Sequence, residues 1–364
     1  MSNFKNLKCK IISQTKSFFV LKNNKRAWHI PLLASLCVAI PLFIGLHFDN
    51  FPTALSASIG GLVILYYQPT ISLGSRMLLL LICSFGFALS LAIGLVFSFN
   101  PYVSSVVIGF FAMGINWVTT YFKTKPPANF FFIMIAAMAS FQPYHLEFIP
   151  QKIGLLVLGS MLACSLALCH GLLTMNKQQT VEALAITIKK GDFVSFVDSA
   201  VIGIFIFISL LIGHLFELHN PYWIPISCLA ILQGVSRKHV LERMVHRIAG
   251  TFIGIGLCWI ILSFFDSPIS ICISIFVLLY IAESLIIKNY ALAIIFITPM
   301  TILLTEVGTS FAANTAVIIP ARLLDITIGS ILGGIGGWFL YHQRLKNKAI
   351  KQLRKTRVVI RKNF

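Results

Sequence analysis

The chain has 364 residues, 57% of them hydrophobic and only 11% charged, with a formal net charge of +18. A soluble domain of this length cannot hide so much apolar surface, so the composition excludes a water-soluble globular protein and points to lipid. Membrane barrel strands alternate apolar and polar residues; that pattern is nearly absent here, which leaves an all-α membrane protein.

Residues 1–29 form a polar, basic segment without the pattern of a cleaved leader, so the first apolar run is expected to stay as a span. Crossing a hydrocarbon core of about 30 Å takes about 20 apolar residues. Runs of that kind start near Ile30, Thr53, Met77, Val103, Phe130 and Ile153, within a first unit of residues 30–175. Residues 176–199 read as a cytoplasmic linker, with Val181, Leu184 and Ile188 at helical spacing. A second unit, residues 200–341, has runs starting near Ala200, Tyr222, Ile248, Ile269, Ala291 and Ala316, and residues 342–364 form a basic tail. About twelve transmembrane helices are therefore expected.

With twelve spans and both termini cytoplasmic, the basic residues sort almost completely. Lys5 to Arg26, Arg76, Lys123, Lys125, Lys177, Lys189, Lys190, Arg237, Lys238, Arg243, Arg247, Lys288 and the tail from Arg344 to Lys362 fall inside. Only Lys152 and Arg322 fall at the outer side, so 27 of 29 basic residues are cytoplasmic, as the positive-inside rule requires. The tail then reads as an anchor at an anionic leaflet, not as a nucleic-acid site, because no aromatic residues are interleaved for base stacking.

The two units resemble each other at an offset of 170. Ile149-Pro150-Gln151-Lys152 is echoed by Ile319-Pro320-Ala321-Arg322, Gly159-Ser160 by Gly329-Ser330, and Asn50 by Asn220. Six spans per unit is an even number, so the expected fold is two parallel six-helix repeats about an axis along the membrane normal. The second and fifth spans of each unit are short (Thr53 to Tyr67, Phe130 to Phe141, Tyr222 to Gln233, Ala291 to Leu304), and Pro225 and Pro299 interrupt two of them. Short, broken apolar segments in matching positions point to a substrate site, because an interrupted helix frees backbone groups that a polar solute can satisfy.

Soluble-enzyme signatures are missing: there is no phosphate-binding glycine loop, no H-E-x-x-H and no cysteine pair at zinc spacing, so neither catalytic residues nor a metal or other cofactor is expected. The 8 cysteines sit mostly in apolar runs and read as small buried hydrophobes, and His170 and His214 as hydrogen-bonded core residues. Charges within spans are more informative, since each costs about 2.5–3.5 kcal/mol at mid-helix. Arg322 and Asp325 lie three apart on one face of the last span, where they suit either a structural ion pair or an anion-attracting outer mouth shared with Lys152. Glu283, more than a turn inside the tenth span, or Asp325 would then exchange protons. Tyr222, Trp223, Gln233 and Pro299 complete the expected pathway. Gly250 with Gly254 and Gly333 with Gly337 have the spacing of close helix contacts, within the chain or in a homo-oligomer.

Pro221-Tyr222-Trp223, Gln233, Arg243, Arg247, Gly250-Thr251 and Gly254, followed by Arg322-Leu323-Leu324-Asp325 and Gly329, resemble the signature of the fusaric acid resistance family. The resemblance implies a bacterial inner-membrane transporter that exports small organic anions such as aromatic carboxylic acids, often alongside a periplasmic adaptor protein. It makes Arg237, Arg243 and Arg247 a basic cytoplasmic turn. The first unit follows the same plan with weaker motifs, keeping Gln68-Pro69 but only Arg76 of the arginines, and the large cytoplasmic domains of many members have no counterpart. A non-transporting or channel-like component supporting envelope assembly through partner proteins is the alternative. A membrane-embedded lipid enzyme would need a clustered Asp, His or Ser motif in a loop, and none is seen.

Overall fold

The computed structural model describes residues 27–174, 193–216, 218, 220–265, 267–307, 315–344, 347–348 and 350–352. The basic segment 1–26, most of the linker (with Val181, Leu184 and Ile188), residues 308–314 and the tail beyond 352 lie outside the described residues.

Twelve helices are described: α1 (His29–His47), α2 (Phe51–Gly61), α3 (Leu73–Val96), α4 (Pro101–Tyr121), α5 (Phe130–Ser140), α6 (Ile149–Thr174), α7 (Phe193–Leu215), α8 (Trp223–Leu232), α9 (Arg237–Phe264), α10 (Pro268–Leu285), α11 (Tyr290–Ile302) and α12 (Thr315–Leu340). Eight of these are long and apolar enough to cross a membrane. The other four, α2, α5, α8 and α11, have 10 to 13 residues each, about 15–20 Å of helix against a core of about 30 Å. The twelve expected spans thus reduce to eight full-length ones and four short helices. The order long-short-long-long-short-long runs from α1 to α6 and again from α7 to α12.

Side-chain caps, not the first apolar residue, decide where several helices begin. Ser72 opens α3 by accepting from Ser75 N, Asn100 opens α4 by accepting from Tyr102 N and Val103 N, and Ser236 opens α9 by accepting from His239 N. The ninth helix therefore starts at Arg237, eleven residues before the expected Ile248. Likewise α7 starts at Phe193, inside the expected linker.

Packing pairs the short helices with long ones. α2 lies along α6 and α8 along α12; α3 packs on α5 and α9 on α11; α4 packs on α7, and α10 on α1. Glycines permit the closest approaches: a Cβ at Gly333 would meet Cys228 O at 2.7 Å, and one at Gly254 would meet Ile295 O at 2.7 Å. Gly250 faces Ala291 and Ile294 of α11, and Gly337 faces Val240. These small-residue spacings are spent on contacts within the chain, so they no longer argue for a homo-oligomer. Outward-facing rings cover the long helices: Phe85, Phe110, Phe252 and Trp259 are 63–71% exposed, as a lipid-facing surface requires. Five of the seven described cysteines are buried, while Cys164 is partly exposed and Cys169 exposed.

Two short helices are extended beyond their α-helical stretch. A 3₁₀ stretch, Leu62–Tyr66, continues α2, and Tyr67 beyond it reaches His170 at the end of α6, whose ring in turn meets His29 at the start of α1. The chain thus returns from the end of α1 to the level of its first residue. A π-helical turn, Leu303–Val307, continues α11.

Candidate functional site

At one end of the bundle α8, α11 and α12 converge. Arg322, two residues past Pro320 in α12, is 2% exposed. Its guanidinium carbon lies 3.2 Å from the Trp223 ring centroid, and Nη2 donates to Thr301 Oγ1 at 2.6 Å. Planar stacking on an indole suits a guanidinium, which is more weakly hydrated than an ammonium. Asp325 is fully buried one turn further along α12. Tyr222 precedes α8 and its ring tilts against Trp223, with centroids 5.3 Å apart. The expected residues Arg322, Asp325, Tyr222 and Trp223 therefore come together, and Thr301 joins them.

The two prolines act differently. Pro299 lies inside α11 and removes the N–H that Ile295 O would accept, and that carbonyl faces Gly254 instead. Pro225 sits in the first turn of α8, where N–H groups have no intrahelical partner, so it does not interrupt that helix.

Lys152 is not in this group. It lies in the first turn of α6, partly buried, and donates to Gln142 Oε1 at 2.7 Å, just past the end of α5. Glu283 is also elsewhere. α10 ends at Leu285, so Glu283 falls in its last turn, half-buried, rather than deeper in the span. It is close in sequence to the start of α11, whereas Thr301 and Arg322 meet at that helix's far end, about 16 Å away along the axis.

The expected basic turn is helical. Arg237, Arg243 and Arg247 occupy the first three turns of α9. Arg237 is exposed; Arg243 stacks 4.3 Å from the Tyr290 ring centroid; Arg247 is 7% exposed. In the other half Arg76 is buried, and its guanidinium donates to Tyr67 Oη, to Pro69 O (2.8 Å) and to Ile71 O (3.0 Å). It thereby satisfies the carbonyls of the non-helical strip between α2 and α3. Tyr341, past the end of α12, similarly donates to Gly234 O after α8.

Between α4, α5, α7 and α8 runs a chain of side-chain hydrogen bonds. Gln233 Nε2 donates to Asn129 Oδ1 (3.4 Å), Asn129 Nδ2 to Asn116 Oδ1 (2.9 Å), and Asn116 Nδ2 to Ser199 Oγ (2.9 Å). Ser199 Oγ in turn donates to Ser195 O at 2.8 Å. Of these only Gln233 is an expected site residue. Asn116 stands out in hindsight as an amide within an apolar run, whereas Asn129 and Ser199 look like ordinary helix-end and span residues. Among the described residues no group of three or more His, Cys, Asp or Glu is placed to hold a metal ion.

A family model described as fusaric acid resistance protein-like matches residues 206–335, from within α7 to within α12. The uncharacterized membrane protein YvaC of Bacillus subtilis (strain 168) is 35% identical over 151 residues, covering 42% of this chain and 24% of its own length. The chain thus spans about a quarter of that relative. No solved structure matches the chain. Neither match indicates a catalytic family. With eight helices fit to cross a bilayer and this match laid over α7 to α12, the chain is a multi-pass membrane protein that carries a fusaric acid resistance protein-like domain at residues 206–335.

Proposed function

We propose that the chain exports small organic anions, aromatic carboxylates among them, across the bacterial inner membrane, with protons as the coupling ion. The observation that carries this reading is Arg322: a cation 2% exposed, stacked on Trp223 and bonded to Thr301, where the start of α8 and the end of α11 meet α12. A charge held in an apolar bundle interacts far more strongly than one in water, so an anion entering beside Arg322 and the buried Asp325 would be felt there.

Three further observations support the transporter architecture. Lys152 donates to Gln142 at the end of α5 much as Arg322 donates to Thr301 at the end of α11. His170 bonds Tyr67 after α2 much as Tyr341 bonds Gly234 after α8. The two sixes meet reciprocally, α4 on α7 and α10 on α1. All three fit two six-helix copies related by an axis along the membrane normal, with α2 and α11 lengthened by their 3₁₀ and π-helical continuations. Arg76, Lys123, Arg237 and Arg247 gather at the end marked by His29, and Lys152 and Arg322 at the other, which favours a cytoplasmic assignment for the first end.

The test is movement of a labelled hydroxybenzoate in proteoliposomes under an imposed pH gradient. Gradient-driven movement that Arg322→Ala abolishes and Glu283→Gln uncouples from protons is the expected result. If a panel of organic anions does not move, the transport reading is wrong, and a role in envelope assembly through partner proteins takes its place.

A further inference from the structure

A cavity of about 300 Å³ opens between the end of α4 and the start of α5, at the end of the bundle assigned to the cytoplasm. Its lining includes Asn116, Thr119, Thr120, Lys123 and Asn129. The volume is at the lower end of the range for small-ligand sites, enough for a single-ring acid.

The amide chain and the charge beside it together decide what this cavity can bind. Both side-chain oxygens, Asn116 Oδ1 and Asn129 Oδ1, already accept a bond within the chain. Each amide nitrogen donates one N–H to the chain and has a second one over. The chain therefore leaves a visitor one N–H and one oxygen lone pair on each amide. Asn129 differs in this from Asn289, its counterpart before α11: Asn289 Oδ1 caps its helix by accepting from Ala291 N and Leu292 N, whereas Asn129 makes no such cap. The first-turn N–H groups of α5 are thus left without that side-chain acceptor. Lys123 adds a positive charge at the rim; it lies two residues past the end of α4 at φ 48°, with Thr124 N bonded back to Thr119 O. The spare amide N–H groups on the floor can bond a carboxylate, and the ammonium at the rim selects an anion over a cation.

We propose that this cavity is the cytoplasmic loading site for a carboxylate anion, held by Lys123 and the amides of Asn116 and Asn129. The inference rests on the transport reading and gives it a starting point, with Arg322 at the opposite end of the path. Because the floor bonds to Ser199 and Gln233, an occupant that draws on these amides also acts on the contact between the two sixes.

The test uses the full-length protein in oriented proteoliposomes, with 4-hydroxybenzoate as probe, supplied in turn to each face. Lys123→Asn removes the charge while keeping a residue that tolerates positive φ, and the position is exposed, so folding is expected to survive. Half-saturation from the cytoplasmic face is expected to rise about tenfold, the worth of one charge-assisted bond, with the maximal rate and the opposite face unchanged. Equilibrium binding in detergent is expected to weaken by the same factor. Equal effects from both faces, or none from either while Arg322→Ala still stops transport, would overturn the loading site and leave the transport reading standing. If the unaltered protein neither binds nor moves the probe or any other carboxylate, both fall together.

Discussion

Gly254 and Gly256 stand two residues apart on α9, and the same substitution at each should have opposite effects. A Cβ at Gly254 would lie 2.7 Å from Ile295 O and 2.8 Å from Thr298 Cβ on α11, whereas one at Gly256 would meet nothing within 4 Å. Ordinary C···O and C···C contacts begin near 3.3 and 3.5 Å, so relief at Gly254 needs α9 and α11 to part by about 0.6 Å or more. Local overpacking of this kind costs about 1–3 kcal/mol. Replacing a helical glycine by alanine returns up to about 1 kcal/mol at either site. Gly254→Ala should therefore be destabilised by up to about 2 kcal/mol net and Gly256→Ala unchanged or slightly stabilised, leaving a difference of about 1–3 kcal/mol in which the propensity gain cancels. Thermal unfolding in mild detergent, followed by tryptophan fluorescence and by the monodisperse fraction after heating, measures that difference directly. If Gly254→Ala melts at or above Gly256→Ala, the close α9–α11 contact, and the packing role given to these glycines, is refuted.

Arg76→Leu should cost about 3–5 kcal/mol, because it strands Pro69 O and Ile71 O with no donor; Arg76→Lys should recover only part, since one ammonium cannot reproduce the planar fork. The fraction recovered folded after detergent extraction reports both. Tyr341→Phe removes the bond to Gly234 O and should lower stability by about 1 kcal/mol in the same thermal assay, with no change in anion selectivity. Arg322→Lys keeps the charge but loses the stack on Trp223, so anion flux should fall at least severalfold while the melting temperature moves little; full activity would show that the charge alone suffices.

Sequence alone settled what depends on local composition. Apolar runs of span length and four short segments at the positions of α2, α5, α8 and α11 follow from hydropathy along the chain, which is where lipid acts. The motif residues from Pro221 to Gly254 and from Arg322 to Gly329 carried the family resemblance for the same reason: they are contiguous stretches. Helix starts were misjudged where a polar cap, such as Ser236, lies well before the first apolar residue, and this turned a supposed basic loop into three turns of α9. Only the tertiary structure decided which residues meet. Arg322 finds Trp223 and Thr301 from two other helices, Lys152 and Glu283 do not join it, and Gln233 enters a bonded chain with Asn129, Asn116 and Ser199. Those partners are 13 to 104 residues apart in sequence, and hydropathy has no term for contacts at such separation. A buried amide or guanidinium is placed by the donors and acceptors that folding brings to it.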